Sequence, residues 1–294
     1  MRIAIAGSSG LIGSELVKSL RADGHEVLRL VRRAATAPTE VSWNPATGEI
    51  DLNALSGVEA IINLAGAGVG DRLWTKKYKQ KILQSRLDST NTIVAAAITL
   101  RPKVLINASA IGWYGETGDN AVTEADANGT GFLADVVKQW EAATAPAAAA
   151  GIRVVLSRTG LVISKNGGAW GRLLPIFKLG LGGKFGSGKQ VWSFISMTDE
   201  IAALKFALET ESLSGPVNLT APNPATNSEV TKELGKALKR PTFLAVPAFL
   251  LKAVLGEFSQ EILGSSRVIP QKLIDSGFNF SHPDIASATR TLLS

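Results

Sequence analysis

The sequence predicts an α/β fold: a doubly wound parallel sheet of the Rossmann type, joined to a smaller C-terminal region that would bind a substrate. Three observations carry this. Short apolar runs rich in branched residues recur at wide intervals, segments with helical spacing lie between them, and the first run leads straight into a glycine-rich turn.

The elements follow in order. A strand is expected at 3–6, and after the turn Ile12, Leu16 and Leu20 step by four along one helical face. Further strands are expected at 27–31, 60–65, 104–108 and 154–156, with long helices over 74–100 and 132–150. Uninterrupted apolar strands separated by amphipathic helices imply a sheet covered on both faces, and right-handed crossovers then wind it in both directions. After Leu161 the texture changes to a loop containing Gly180, Gly182, Gly183, Gly186 and Gly188, then to helical stretches divided by Pro247, Pro270 and Pro283. The expected division is a nucleotide-binding unit over 1–164, which also receives part of 190–220, and a smaller unit over 165–294.

Composition narrows the chemistry. With 294 residues, 45% of them hydrophobic and 19% charged, the chain can bury a sizeable core, which excludes disorder. There is no cysteine, and His25 and His282 are the only histidines, so no metal site and no Ser-His-Asp triad are expected. No apolar stretch reaches the ~20 residues of a membrane-spanning helix. The first 14 residues hold one Arg and three Gly, with Glu15 following, a poor secretory signal, so the expected location is the cytoplasm. A net charge of +6 favours an anionic partner in a general way. The basic residues are scattered, however, and Lys76, Lys77, Lys79 and Lys81 have the spacing of a solvated helix face. The expected partner is therefore a small molecule rather than nucleic acid or a membrane.

The turn itself reads Gly7-Ser8-Ser9-Gly10-Leu11-Ile12-Gly13. Gly7 allows a sharp turn, Gly10 lets backbone amides approach a diphosphate, and Gly13 lets the helix pack close to the sheet. Amides at the helix start then meet the anion with a favourable dipole. The spacing GxxGxxG is a variant of the dinucleotide fingerprint. Where NAD is selected, an acid ends the second strand and bonds the ribose hydroxyls. Here that strand ends Leu28-Arg29-Leu30-Val31-Arg32-Arg33, with no acid. Adjacent guanidiniums suit a 2'-phosphate, so NADP (NADPH) is the expected cofactor, with Arg32 and Arg33 as its readers.

By these features the chain resembles an extended short-chain dehydrogenase/reductase of the NAD(P)-dependent epimerase/dehydratase type. Asn63-Leu64-Ala65-Gly66 ends a strand where that superfamily contacts its cofactor, and Ser109-Ala110-Ile111-Gly112-Trp113-Tyr114-Gly115 is similar to its SSxxVYG segment. It resembles most the atypical YfcH-like epimerase family proteins, also labelled cell-division-inhibitor homologues. That likeness rests on Trp74, Ser85-Arg86, Trp140-Glu141, Arg158-Thr159-Gly160, the Gly182–Gln190 loop and the Ser266–Leu273 tail. It implies that Leu64, Ala65, Gly66, Ala108, Gly160 and Leu161 line the cofactor, and that Ser109 meets a substrate oxygen.

One departure bears on catalysis. Active relatives carry a Tyr and, four residues on, a Lys on the helix after SSxxVYG, whereas here the helix reads Phe132-Leu133-Ala134-Asp135-Val136-Val137-Lys138-Gln139-Trp140-Glu141. Leu133 and Val137 fall at the two positions, and Lys138 is one step, or about 100°, out of register. The remaining catalytic candidates are Ser109 and Tyr114, the latter as a proton donor or packed in its loop. Lys184 and Lys189 could draw an anionic substrate under the glycine-rich loop, or simply be solvated. Alanines 142–150 suit a homodimer contact and equally a buried helix. Two functions fit: an NADP-dependent oxidoreductase or nucleoside-diphosphate-sugar epimerase on a hydroxylated or carbonyl substrate, or a non-catalytic NADPH-binding redox sensor or interaction protein.

Overall fold

In the computed structural model, which describes residues 1–292, the branched apolar runs pair into one eight-stranded sheet. Its strands are β1 (Arg2–Ala6), β2 (Glu26–Val31), β3 (Glu40–Asn44), β4 (Glu49–Ile50), β5 (Ala60–Asn63), β6 (Val104–Ala110), β7 (Arg153–Thr159) and β8 (Gly215–Leu219). In space they run β8-β7-β6-β5-β1-β2-β3-β4, and every pairing is parallel except β3 with β4. The chain winds outward from β1 through β2 to β4, then returns to β5 on β1's other side. The topological switch therefore lies between β1 and β5, the place where such sheets open a ligand crevice.

Both faces are covered. On one, α1 (Leu11–Ala22) and the helix Met197–Glu209 bury Leu16, Leu20, Ala203 and Leu204 against Ile3, Ile5, Ile62 and Ile106. On the other, α2 (Lys76–Leu100) and the short helix Ala145–Ala149 bury Ile93, Ala97 and Ala147 against Ala4, Ile61 and Leu105. A separate core around Trp170, Phe177, Trp192, Phe194 and Val230 lies in the chain's second half.

Three strands escape the sequence pattern: β3, the two-residue β4 and β8. In β3, Val41 and Trp43 are buried, but they alternate with the polar Glu40, Ser42 and Asn44. β8 begins Gly215-Pro216, which reads as a turn, yet Pro216 is tolerated because β8 is the edge strand and a ladder donor is dispensable there. The long helix expected over 132–150 is two helices, α3 (Phe132–Ala142) and Ala145–Ala149. Pro146 has no N–H to continue the ladder, and Thr144 Oγ1 donates instead to the Glu141 carbonyl at 2.7 Å.

The switch point tolerates little side-chain bulk. Gly7 sits at φ +74°, and a Cβ there would lie 2.6 Å from the Leu64 carbonyl carbon; one on Gly13 would collide with the Gly7 carbonyl. Gly13→Ala must push α1 off the sheet, at a cost of about 1–3 kcal/mol. Urea unfolding monitored by circular dichroism checks this: an unchanged midpoint would contradict the contact.

Candidate functional site

The crevice between β1 and β5 is floored by the glycine turn. Gly10 N–H donates to the Gly7 carbonyl at 2.9 Å, closing the turn, and Gly10 N-caps α1 with no side-chain hydrogen bond and no acid in the first turn. The helix start thus keeps free amides and its positive dipole end, a fit for an anion. Ser8 is buried, Ser9 and Gly10 are exposed, and Leu11 and Ile12 are half-buried. Gly167 and Gly168, at the start of the helix Gly168–Lys178, close against the Leu11 methyl groups.

Across the crevice lies the Leu64–Gly66 ledge. Asn63, wholly buried, donates to Asn107 Oδ1 at 2.8 Å and accepts from the Ala65 amide at 3.2 Å, which ties the ledge to the ends of β5 and β6. Arg86, from α2, donates to the Ala67 carbonyl at 2.9 Å and stacks on Trp140, 4.8 Å from its ring centre. Burial pushes its guanidinium down to about 10.

At the end of β2 an acid is present after all, supplied by the neighbouring strand. Glu40 opens β3 opposite Arg29 and accepts two hydrogen bonds from Arg33, at 2.7 and 2.8 Å, together with one from Arg29. The Thr36 amide and hydroxyl, each at 3.0 Å, complete the ring. The Arg33 hydrogen bonds, followed by that from the Thr36 amide, hold the Glu40 carboxyl far below the usual carboxylate range. Arg33 is thereby committed within the protein, while Arg32 is exposed and makes no ion pair among the described residues.

The two hydroxyls singled out in the sequence meet in one buried network. Ser109, Arg158 and Asn218 are cross-strand neighbours on β6, β7 and β8. Ser109 Oγ donates to Glu141 Oε1 at 2.5 Å, and Arg158 grips the same carboxylate from Nε and Nη2, both at 2.8 Å. Arg158 Nη1 also donates to the Tyr114 hydroxyl at 2.9 Å, and that hydroxyl donates to Asn218 Oδ1 at 2.7 Å. Tyr114 is 4% exposed, and burial, partly offset by the nearby Arg158, pushes its hydroxyl up to about 12. Of the two arrangements expected for Tyr114, this is the packed one: its hydroxyl is engaged on both sides and lies in the interior. Ser109, 5% exposed, also points inward, while Ala108 and Ala110 alternate to the opposite face.

Helix α3 supplies Glu141. Leu133, Val137 and Glu141 fall four residues apart, one above another, and Leu133 and Val137 pack beside Gly112. Lys138 is exposed, as its register requires. Gly160 donates its amide to the Leu219 carbonyl at 3.0 Å and Leu161 to the Ser193 carbonyl at 2.9 Å, so neither amide is free for a ligand. Below them Thr159 Oγ1 donates to Glu200 Oε1 at 2.9 Å, while Glu200 Oε2 is buried without a partner.

Sequence reasoning gave no role to Glu40, and took Glu141 and Arg158 only as marks of the family resemblance. A usable signal was Arg158, two residues past the apolar run Val154–Leu156 in a strand of the covered sheet, since a buried guanidinium requires a buried acid.

Removing one member of that pair strands the other. Arg158→Met should cost about 3–5 kcal/mol in chemical unfolding, and combining it with Glu141→Leu should recover most of the loss; an additive double variant would refute the coupling. Burial pushes Glu200 up to about 8 from its ordinary 4.5, the Thr159 hydrogen bond only partly opposing. The folded chain then keeps a proton that the unfolded chain releases, so stability falls as pH rises between those values. Thermal melts at pH 5 and pH 8 should show Glu200→Gln gaining on the wild type at the higher pH; a constant difference would rule this out.

Comparison with known proteins gives consistent matches. The profile of the NAD dependent epimerase/dehydratase family matches residues 3–219, and that of a domain of unknown function, DUF1731, matches residues 246–292. Epimerase family protein Mb2239 of Mycobacterium bovis is 49% identical over 97% of this chain and 95% of its own. The crystal structure of human epimerase family protein SDR39U1 (isoform 2) with NADPH superposes at a TM-score of 0.89, with 29% identity over 99% of both chains. The nucleoside-diphosphate sugar epimerase from Corynebacterium glutamicum does so at 0.81, with 33% identity over 98% of this chain and 57% of that one.

Proposed function

The chain belongs to the NAD dependent epimerase/dehydratase family, and from that premise we propose that it binds NADP(H) and acts as an oxidoreductase or nucleoside-diphosphate-sugar epimerase on a hydroxylated or carbonyl substrate. The observation that carries this reading is the uncapped start of α1 at the switch point, facing the Leu64–Gly66 ledge, with Arg32 exposed where β2 ends. The human relative solved with NADPH supports the phosphorylated form of the cofactor.

In this reading the turn Gly7, Ser8, Ser9, Gly10, Leu11, Ile12 and Gly13 cradles the diphosphate, which the free amides at the start of α1 hold. Arg32 meets the 2'-phosphate, and Arg33, fixed by Glu40, stiffens the loop and adds charge beside it. Leu64, Ala65 and Gly66 flank the cofactor on one side, and Ala108, Gly160 and Leu161 border its nicotinamide end. The bound cofactor supplies hydride transfer. Ser109 accepts a hydrogen bond from a substrate hydroxyl through the lone pairs it does not turn toward Glu141, whose carboxylate, clamped by Arg158, fixes its direction. Tyr114 and Asn218 serve as positioning residues that hold Arg158, and through it Glu141.

A second reading, a non-catalytic NADPH-binding sensor or interaction protein, is favoured by one specific feature. The helix face that carries the Tyr and Lys of active relatives is apolar here, with Leu133 and Val137 packed beside Gly112.

Calorimetric titration separates the parts. Wild type should bind NADPH more tightly than NADH. Arg32→Ala should lose about 1.5–3 kcal/mol toward NADPH alone, or roughly ten- to a hundredfold. Equal affinity for the two nucleotides in wild type would sink the phosphate assignment. Incubation with NADPH and a panel of carbonyl compounds, followed at the reduced-nicotinamide absorbance, separates enzyme from sensor. Turnover that falls with Ser109→Ala supports the enzyme, and tight binding without turnover supports the sensor.

A further inference from the structure

We propose that the C-terminal region carries a docking face for an anionic lipid bilayer, formed by the helix Ala248–Leu255, the preceding strap, and the turn after the helix Gly168–Lys178. That short helix buries none of its residues, although it reads Ala-Phe-Leu-Leu-Lys-Ala-Val-Leu. Phe249 and Val254 are each 68% exposed, Phe243 78% and Leu179 75%, with Leu181 and Leu250 about half exposed. These groups share one surface. Gly180 packs on the Pro241 ring, the Val246 amide donates to the Lys184 carbonyl at 2.8 Å, and Gly186 lies against the Ala248 methyl. Exposed aromatic and branched side chains in such numbers mark a face that is covered in use.

Charge indicates what covers it. The two segments that build the face, 168–190 and 236–256, contain no Asp or Glu, while the first holds Arg172, Lys178, Lys184 and Lys189 and the second Lys236, Lys239, Arg240 and Lys252. Lys178, Lys184, Lys239, Arg240 and Lys252 are all exposed and make no ion pair among the described residues. A second copy of the chain would press one uncompensated cationic face against another. An acidic headgroup layer over hydrocarbon matches both features: aromatic and branched side chains enter the interface, and lysines meet the phosphates. Among the described residues no helix is long and apolar enough to cross a membrane, so the contact is with one leaflet. The sequence excluded a membrane for want of a span, and an interfacial face requires none.

The face adjoins the crevice. Just beyond the helix, Phe258 packs against Trp74 with the rings tilted at 53° and their centres 5.4 Å apart, and Glu257 pairs with Lys79 at 2.6 Å, beside the loop that follows the Leu64–Gly66 ledge.

Co-sedimentation of the full chain with vesicles tests the proposal. Vesicles of phosphatidylcholine with phosphatidylglycerol should pull the protein down, vesicles of phosphatidylcholine alone should not, and salt should release it. Lys239→Glu with Arg240→Glu, and separately Phe243→Ser with Phe249→Ser, should each weaken binding tenfold or more. NADPH affinity of both variants should stay at the wild-type value, so a failure of lipid binding is distinguishable from a failure of the cofactor assignment. Absence of binding to the anionic vesicles, or binding that both variants retain, would overturn the proposal. So would a stable wild-type dimer in analytical ultracentrifugation that Phe243→Ser with Phe249→Ser dissociates, which would assign the face to a second copy.

Discussion

Everything at the crevice depends on one steric constraint: α1 begins so close to β1 and β5 that only hydrogen fits on the α-carbons of Gly7 and Gly13. Gly7 turns the chain at positive φ under the Leu64 carbonyl, and Gly13 lets the first helical turn pass over the Gly7 carbonyl. The helix axis is thereby aimed along the sheet's open end. Since Gly10 provides no side-chain cap, the amides there keep their capacity for an external anion. A serine or aspartate at the cap would have stabilised the helix and closed the site.

The second organising feature is polar and buried. Ser109, Arg158 and Asn218 form a ladder across three parallel strands, with Glu141 clamped to it from α3 and Tyr114 from the turn after β6. Burying a guanidinium and a carboxylate costs desolvation that mutual attraction offsets only when each donor and acceptor is used. Here the pair is bidentate, and its spare valences reach Ser109 and Tyr114. Burial alone would lower the Arg158 pKa, but the Glu141 hydrogen bond and charge outweigh it, and the guanidinium stays above its ordinary value. The result is a rigid strand end in which hydroxyl directions are fixed.

Rigidity at the crevice contrasts with the C-terminal face. The sheet and its flanking helices bury their apolar residues, whereas the helix Ala248–Leu255 buries none. That bare apolar face is what the proposed docking surface rests on.

The sequence alone determined the sheet class, the glycine turn and the outward direction of Lys138. Each is a local matter of spacing, backbone freedom or helical register. It missed β3, β4 and β8, because a strand of two residues, one whose polar residues are held by tertiary partners, or one that starts with Gly-Pro at a sheet edge, has no local signature. It also could not show that Arg33 belongs to Glu40 or Tyr114 to Arg158 and Asn218. Those partners are up to 104 residues away in the chain, and hydrogen bonds are decided by which strands become neighbours. Tertiary structure alone settled which arginine stays free and which hydroxyls turn inward, because pairing and burial are properties of assembled layers and not of the residues that enter them.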